Sequence, residues 1–255
     1  MELLSSLTEG NVTAFLLLLL RFSGVMFFFP FFENQLISTS IKGALIFFLT
    51  ILFFPVVPLQ SPPTQIVDFM LAGLSELMLG FLASVVLQIV FGMISFGGEV
   101  TSFAMGLTMA SAYDPVTGAQ KPIIGQLITL LALLVMLALD LHHPFFLFIA
   151  ESLRHIPLGG FVFSPDIASY TLKAFANLFL IGFTMAFPIV ALILLSDIIF
   201  GMIGKAHPQF NLLVIGFPVK IAIAFAVLIV ILPAILIHFK REFILALEAL
   251  KIFFQ

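Results

Sequence analysis

Six long apolar runs dominate this sequence and limit what the chain can fold into. A helix that spans a bilayer needs about 20 mostly apolar residues. Composition agrees with spanning helices, because 62% of the 255 residues are hydrophobic and only 9% are charged, too few charges to cover a soluble core of this size. The sequence therefore predicts an all-α integral membrane protein. The runs are Val12–Phe32, Ile41–Leu59, Ile66–Phe96, Ile123–Leu141, Thr171–Ile203 and Leu212–His238.

The helices are expected to be long and kinked. The third and fifth runs exceed the length that one perpendicular crossing requires. Prolines lie in or at the ends of several runs, and each removes a backbone N–H and favours a kink. We predict about six such helices, arranged as hairpins in a single membrane-embedded domain over residues 1–255. These prolines are Pro30, Pro55, Pro188, Pro218 and Pro233.

The same sequence excludes several function classes. Ten Lys and Arg stand against thirteen Asp and Glu, so no basic surface for nucleic acid is expected. The chain has no cysteine, and the HExxH, GxSxG, Walker and GxGxxG motifs are absent. His142 and His143 are adjacent and are expected to point to different faces of a helix, which disfavours a metal site. We therefore predict no enzyme activity, no cofactor and no metal.

Polar side chains inside or beside the apolar runs are candidates for buried assembly contacts. A charge at membrane depth is unfavourable unless it faces protein or water. In the third run, polar and small residues recur every four positions, which predicts close approach by another helix backbone, with a proton or ion relay as the alternative. The candidates are Arg21, Glu76, Gln88, Asp140, Asp197 and Lys220, and the row comprises Glu76, Gly80, Ser84, Gln88 and Gly92.

The last two runs are predicted to form a hairpin about His207 and Pro208. Asp197 and Lys220 lie at similar distances from that turn, one on each arm. Residues placed in this way face each other at one level of the hairpin. We therefore predict a buried ion pair between Asp197 and Lys220.

The central segment, about 97–122, is neither strongly apolar nor charged. Small and weakly polar residues dominate it, Met105, Met109 and Tyr113 are spaced by four, and the Asp114–Pro115 dipeptide indicates a turn. Irregular backbone survives at membrane depth only where protein or a water-filled cavity surrounds it. Two interpretations remain open, a plain connecting loop and a segment that packs inside a conduit and moves aside.

The C-terminal segment, about 240–255, is predicted to be an amphipathic helix. Phe243, Leu247, Leu250 and Phe254 fall on one face at i, i+4, i+7 and i+11. Such a face either lies on the membrane surface or docks against a neighbouring protein.

Four segments in order carry a family resemblance. They are Arg21-Phe22-Ser23-Gly24 followed by Pro30, Ala112 to Gln120 leading into Ile124-Gly125-Gln126, Asp140-Leu141-His142-His143, and His207-Pro208-Gln209-Phe210-Asn211 leading into Gly216-Phe217-Pro218-Val219-Lys220. In order and spacing, over nearly the whole length, the chain resembles the FliR family of the flagellar type III export gate, which has SctT-type injectisome relatives.

The resemblance implies a core subunit of the flagellar type III protein export gate in the bacterial inner membrane, within the flagellar basal body. Members of this family assemble as one copy with five FliP and four FliQ in a helical hetero-oligomer. FlhB wraps onto this assembly, which is partly raised to the periplasmic side. Unfolded flagellar subunits would pass through it, and membrane lipid would contact it.

The family also implies that the central loop plugs the closed pore. Carried onto this sequence, the plug comprises Met105, Gly106, Leu107, Thr108, Met109, Ala110, Ser111, Ala112, Tyr113, Asp114, Pro115, Val116, Thr117, Gly118, Ala119 and Gln120.

Two alternative functions remain open. One is a stand-alone secondary transporter of a small solute or ion, with Arg21, Glu76, Asp140 and Lys220 as ligands, and the other is a purely structural assembly factor.

Overall fold

The computed structural model describes residues 9–33, 37–57, 65–107, 122–207 and 212–254, and these residues contain helices and no strand. Eight α-helices follow one another along them, and a 3-10 turn (Phe54–Val56) extends the third. The helices are α1 (Glu9–Phe28), α2 (Pro30–Glu33), α3 (Thr39–Phe53), α4 (Ile66–Ala104), α5 (Ile123–Ala138), α6 (His142–His155), α7 (Pro165–Ala206) and α8 (Leu212–Phe254).

Among the described residues, five helical segments are long and apolar enough to cross a membrane: α1, α3 together with its 3-10 turn, α4, α7 and α8. Helices α5 and α6 give a sixth span if they are counted as one interrupted helix. This confirms the predicted all-helical fold with about six long apolar helices. Three of the five prolines named above lie inside helices, Pro188 in α7 and both Pro218 and Pro233 in α8.

The chain divides into two compact units. The first unit comprises Met1–Ile89, Asp140–Lys173 and Phe243–Gln255, and the second comprises Val90–Leu139 and Ala174–Glu242. Helices α4, α7 and α8 therefore each contribute residues to both units.

Aromatic and aliphatic side chains fill the core of the first unit. Phe29, just after α1, stacks on Phe145 of α6 with ring centroids 4.5 Å apart. Because lipid is as apolar as these side chains, tight van der Waals packing rather than the hydrophobic effect holds such helices together in a membrane. The largest fully buried side chains here include Leu18, Phe22, Met26, Leu79 and Phe243.

Helix α4 extends further than the sequence predicts. The irregular segment was expected from Gly97 onward, whereas the helix continues to Ala104. Glycine has a low helix propensity, but close packing at these glycines within the second unit offsets it, so the helix continues. A Cβ atom at Gly97 would lie 2.8 Å from the carbonyl oxygen of Gly182, and one at Gly98 would lie 2.9 Å from the backbone nitrogen of Gly125.

One helix was not predicted, because α6 lies between the fourth and fifth apolar runs. The predicted C-terminal helix is present, but α8 joins it to the last apolar run without a break and continues to Phe254. Helix α6 is amphipathic rather than uniformly apolar, so a search for long apolar runs passes over it. Helix α8 continues because no Gly or Pro follows Pro233.

The apolar face of the C-terminal segment is covered by the chain itself. Phe243, Leu247 and Leu250 are all buried within the first unit, and the side chain of Phe254 lies outside the described residues. This face is therefore used for internal packing, and both interpretations drawn from the sequence, a membrane surface or a neighbouring protein, are wrong for these three residues.

Candidate functional site

Arg21 and Glu76 form a fully buried ion pair in the first unit. Arg21 lies in α1, Glu76 lies in α4, and both side chains are 0% exposed. The guanidinium donates two parallel hydrogen bonds, from Nε to Oε2 and from Nη2 to Oε1 at 2.9 Å. Bidentate pairing of this kind is among the strongest hydrogen-bonded arrangements that side chains make. Since each charge alone would be unfavourable in an apolar interior, the pair ties α1 to α4.

Three further groups complete the hydrogen bonds of this ion pair. Ser152 Oγ accepts a hydrogen bond from Nη1 of Arg21 at 3.4 Å, and the carbonyl oxygen of Ile156 accepts one from Nη2 at 3.2 Å. The backbone N–H of Gly159 donates to Oε1 of Glu76 at 2.6 Å. The ion pair therefore also fixes α6 and the turn that follows it.

Sequence reasoning missed these three partners, although a signal for α6 was present. The buried side chains of this helix recur at i, i+3, i+4, i+7 and i+8, the spacing of one helix face. Ser152 occupies one of those positions, so its hydroxyl is directed into the core of the first unit. The buried positions are Phe145, Phe148, Ile149, Ser152 and Leu153.

The first part of the small-residue row of α4, at Gly80 and Ser84, packs closely against α1. A Cβ atom at Gly80 would lie 2.7 Å from the carbonyl oxygen of Arg21, and one at Gly24 would lie 2.8 Å from a backbone carbonyl oxygen of α4. Ser84 Oγ donates a hydrogen bond to the carbonyl oxygen of Val25 at 2.7 Å. The four-residue spacing thus allows the close backbone approach that the sequence predicts, and the ion pair lies at one end of this contact.

Asp197 of α7 and Lys220 of α8 form an ion pair in the second unit. The predicted pairing is present, but the predicted burial is not, because 42% of the Asp197 side chain and 22% of the Lys220 side chain are exposed. Large apolar side chains on the same helices are exposed beside them, including Leu194, Ile198 and Val219. Charges on such a surface are unfavourable next to lipid, so we expect them to face protein or water.

Two other residues that the sequence predicts to be buried are not fully buried in the structure. Gln88 of α4 is half-buried. The prediction that Asp140 is buried is wrong, because its side chain is 69% exposed. Helix α5 ends at Ala138, so Asp140 falls in the interruption before α6, where its backbone adopts a left-handed φ of 53°.

Only the beginning of the predicted plug can be placed. Met105, Gly106 and Leu107 follow α4, whereas residues 108–120 lie outside the described part of the chain. Met105 is buried, and Gly106 has a φ of 77°, a left-handed conformation that commonly ends helices. A Cβ atom at Gly106 would lie 2.6 Å from Cζ of Phe217, so the ring of Phe217 lies directly against this helix end.

Comparison with known proteins gives a consistent result over nearly the whole chain. Residues 12–245 match the family described as bacterial export proteins, family 1. The flagellar biosynthetic protein FliR of Bacillus subtilis (strain 168) is 32% identical over 243 residues, which are 93% of each chain. The proteins of the same name from Aquifex aeolicus (strain VF5) and Escherichia coli (strain K12) are 26% and 23% identical. Those matches cover 92% and 85% of this chain, and 92% and 83% of the relatives.

Proposed function

Because this chain belongs to the bacterial export proteins of family 1, the FliR family, we propose that it is a core subunit of the flagellar type III protein export gate. Membership makes it a membrane component of flagellar export and not an enzyme. In the proposed gate it joins FliP and FliQ, in the ratio of one to five to four, and FlhB binds the assembly. The gate lies in the inner membrane at the flagellar basal body, partly raised to the periplasmic side.

The Asp197–Lys220 ion pair is the observation that carries this proposal. It lies on helices whose apolar surfaces are largely uncovered, since only 28% of the spanning part of α7 and 17% of that of α8 is buried within the chain. A protein that worked alone in the bilayer would turn these surfaces, and the charges on them, toward lipid. A gate subunit instead turns them toward neighbouring subunits or an aqueous channel, where a partly exposed ion pair is tolerated.

The segment from Met105 to Gln120 is proposed to plug the closed channel. Its composition supports this, because small and weakly polar residues can pack inside a conduit, whereas a long apolar helix would bind lipid or other apolar helices more tightly. Gly106 supports it as well, because its left-handed backbone turns the chain out of α4 just where the segment begins. Unfolded export substrates would pass when the segment moves.

The hydrogen-bond partners of Arg21 and Glu76 disfavour the alternative function, a stand-alone transporter. A transporter needs charges that are free to bind its substrate near the membrane midplane. Here the guanidinium and the carboxylate bind each other, and Ser152, Ile156 and Gly159 occupy further positions around them. The pair therefore serves as a structural link between helices.

Copurification tests the gate assignment. The chain, carrying an affinity tag, is expressed with FliP and FliQ, extracted in mild detergent and weighed by native mass spectrometry. We expect a complex containing both partners and one copy of this chain. A chain that is recovered alone and that binds or transports a small solute would contradict the proposal.

Charge variants test the surface that carries the proposal. Asp197→Lys and Lys220→Asp should each reduce recovery of the complex, and the double variant should restore it. Lys205→Asp, on α7 but outside the pair, is the matched control and should have little effect. Failure of the double variant to rescue either single variant would remove the support that the pair gives.

Deletion of residues 106–116 tests the plug separately. The complex should still assemble, but membranes that contain it should become permeable to ions or small solutes. Unchanged permeability in an assembled complex would exclude the plug and leave the subunit assignment intact.

A further inference from the structure

Three side chains with metal-binding chemistry meet in the interruption between α5 and α6. The ligand atoms of Asp140, His142 and His143 all lie within 4.8 Å of one another. The two imidazole centroids are 4.2 Å apart, and Nδ1 of His143 is 3.7 Å from Oδ1 of Asp140. The sequence-based expectation that the two histidines point apart is wrong. They occupy the first turn of α6, where no preceding turn restricts side-chain direction.

We propose that Asp140, His142 and His143 form a binding site for a divalent transition-metal ion of the Zn²⁺ class. Two imidazoles and one carboxylate suit Zn²⁺, Co²⁺ or Ni²⁺, whereas Mg²⁺ and Ca²⁺ prefer oxygen ligands alone. Ligand atoms that share one ion at about 2.1 Å lie roughly 3.0 to 3.5 Å from each other. Small side-chain rotations therefore bring the three groups from their present spacing onto one ion.

A second observation points to an ion here. Nδ1 of His142 is buried and has no hydrogen-bond partner among the described residues. A buried polar nitrogen is normally satisfied by protein, water or an ion. The Asp140 carboxylate is not hydrogen-bonded to the His143 ring, because 3.7 Å between Oδ1 and Nδ1 is too long. An ion bound to Nδ1 of His142 would supply the partner that this buried atom lacks.

Exposure decides how the site would be filled. The side chains of His143 and Asp140 are 64% and 69% exposed, so the chain itself does not close off access to them. Three protein ligands leave at least one position of a tetrahedral ion open for water. The bound ion would join Asp140, within the interruption, to the first turn of α6, and it would therefore stabilise the start of that helix.

The test uses the full-length chain, purified in detergent with a tag that contains no histidine. Zn²⁺ binding is measured by equilibrium dialysis with elemental analysis, and Co²⁺ serves as a coloured probe of the ligand set. We expect one ion per chain, with a dissociation constant in the micromolar range or below. Excess Mg²⁺ should not displace the Zn²⁺.

Two variants and one control define the site. Asp140→Asn keeps a residue that tolerates the left-handed backbone while it removes the carboxylate. This variant and His143→Gln should each weaken binding at least about tenfold, since loss of a residue that only hydrogen-bonds to a metal ligand already has that effect. His155→Gln, at the other end of α6 where its ring lies near the carbonyl of Glu151, should bind Zn²⁺ as the wild type does.

The outcomes distinguish a built site from surface histidines. Helical content by circular dichroism confirms that each variant is folded before the measurement is interpreted. The proposal is overturned if the folded wild type binds no ion per chain at tens of micromolar Zn²⁺. It is equally overturned if His155→Gln loses as much affinity as His143→Gln, because binding would then reflect any exposed imidazole.

Discussion

Arg21 and Glu76 are separated by 55 residues in the sequence, yet their side chains meet in a bidentate ion pair that solvent does not reach. The same pair collects hydrogen bonds from α6 and the turn after it. Helices α1, α4 and α6 of the first unit therefore depend on one electrostatic contact. The free energy of unfolding of the first unit should therefore depend on the intact ion pair rather than on either charge separately.

Removal of one partner of this ion pair should be far more harmful than removal of both. Arg21→Met or Glu76→Leu leaves an uncompensated buried charge, for which we expect a loss of about 3–5 kcal/mol of unfolding free energy. The double variant should lose less than either single variant. Thermal unfolding in detergent and accumulation in the membrane measure the effect. Additive losses in the double variant would show that the two charges are not coupled.

Glycine should be required at position 80 but not at position 43. A Cβ atom at Gly80 would meet backbone atoms of Arg21 and Val25 at 2.7 Å, and backbone cannot move aside as a side chain can. Gly80→Ala should therefore destabilise the chain by about 1–3 kcal/mol. Gly43→Ala, for which no described atom lies within 4 Å, should be neutral or stabilise α3 by up to about 1 kcal/mol. Similar unfolding midpoints for the two variants would contradict this packing.

Substitution of Gly106 should strain the end of α4 in two separable ways. The left-handed φ of 77° costs an L-residue about 1–2 kcal/mol, and a Cβ atom would also press on the ring of Phe217. Gly106→Ala should therefore be less stable than wild type, and adding Phe217→Ala should relieve only the steric share. Chemical denaturation of the four combinations measures both. Gly201→Ala, in an open position of α7, is the control, and a comparable loss there would argue against local strain.

A charge should be tolerated at one position of the C-terminal segment and not at another. Phe243 is completely buried, whereas Ile252 is 77% exposed. Phe243→Asp should lower stability by at least about 3 kcal/mol, even when the chain is produced without other flagellar proteins, because its contacts lie within the chain. Ile252→Asp should have a small effect under the same conditions. Equal accumulation of the two variants in the membrane would indicate that this face is not packed internally.

The sequence predicts those features that depend on local spacing. The apolar runs locate the spanning helices, and the four-residue row from Glu76 to Gly92 predicts the close face of α4. Equal distances from a turn predict that Asp197 meets Lys220. Each of these inferences uses only helical periodicity or hairpin symmetry, which a linear pattern records.

The partners of Glu76 could not be predicted in this way. Gly159 contacts it across 83 residues, and that contact depends on how α6 and its following turn return to α4. The predicted burial of Asp140 is wrong because this residue lies beside an apolar run but past the end of its helix. His142 and His143 meet because of side-chain directions in the first turn of α6, which residue spacing alone does not define.

Protein synthesis delivers Arg21 to the membrane before its counter-ion exists. At about 5–20 residues per second, a ribosome needs about 3 to 11 s to make the 55 residues that separate Arg21 from Glu76. During that interval, insertion of α1 alone would place a bare guanidinium in hydrocarbon, at a cost of about 2.5–3.5 kcal/mol on insertion scales. Helix α1 should therefore remain beside the insertion machinery until α4 emerges, and the two helices should enter the bilayer together.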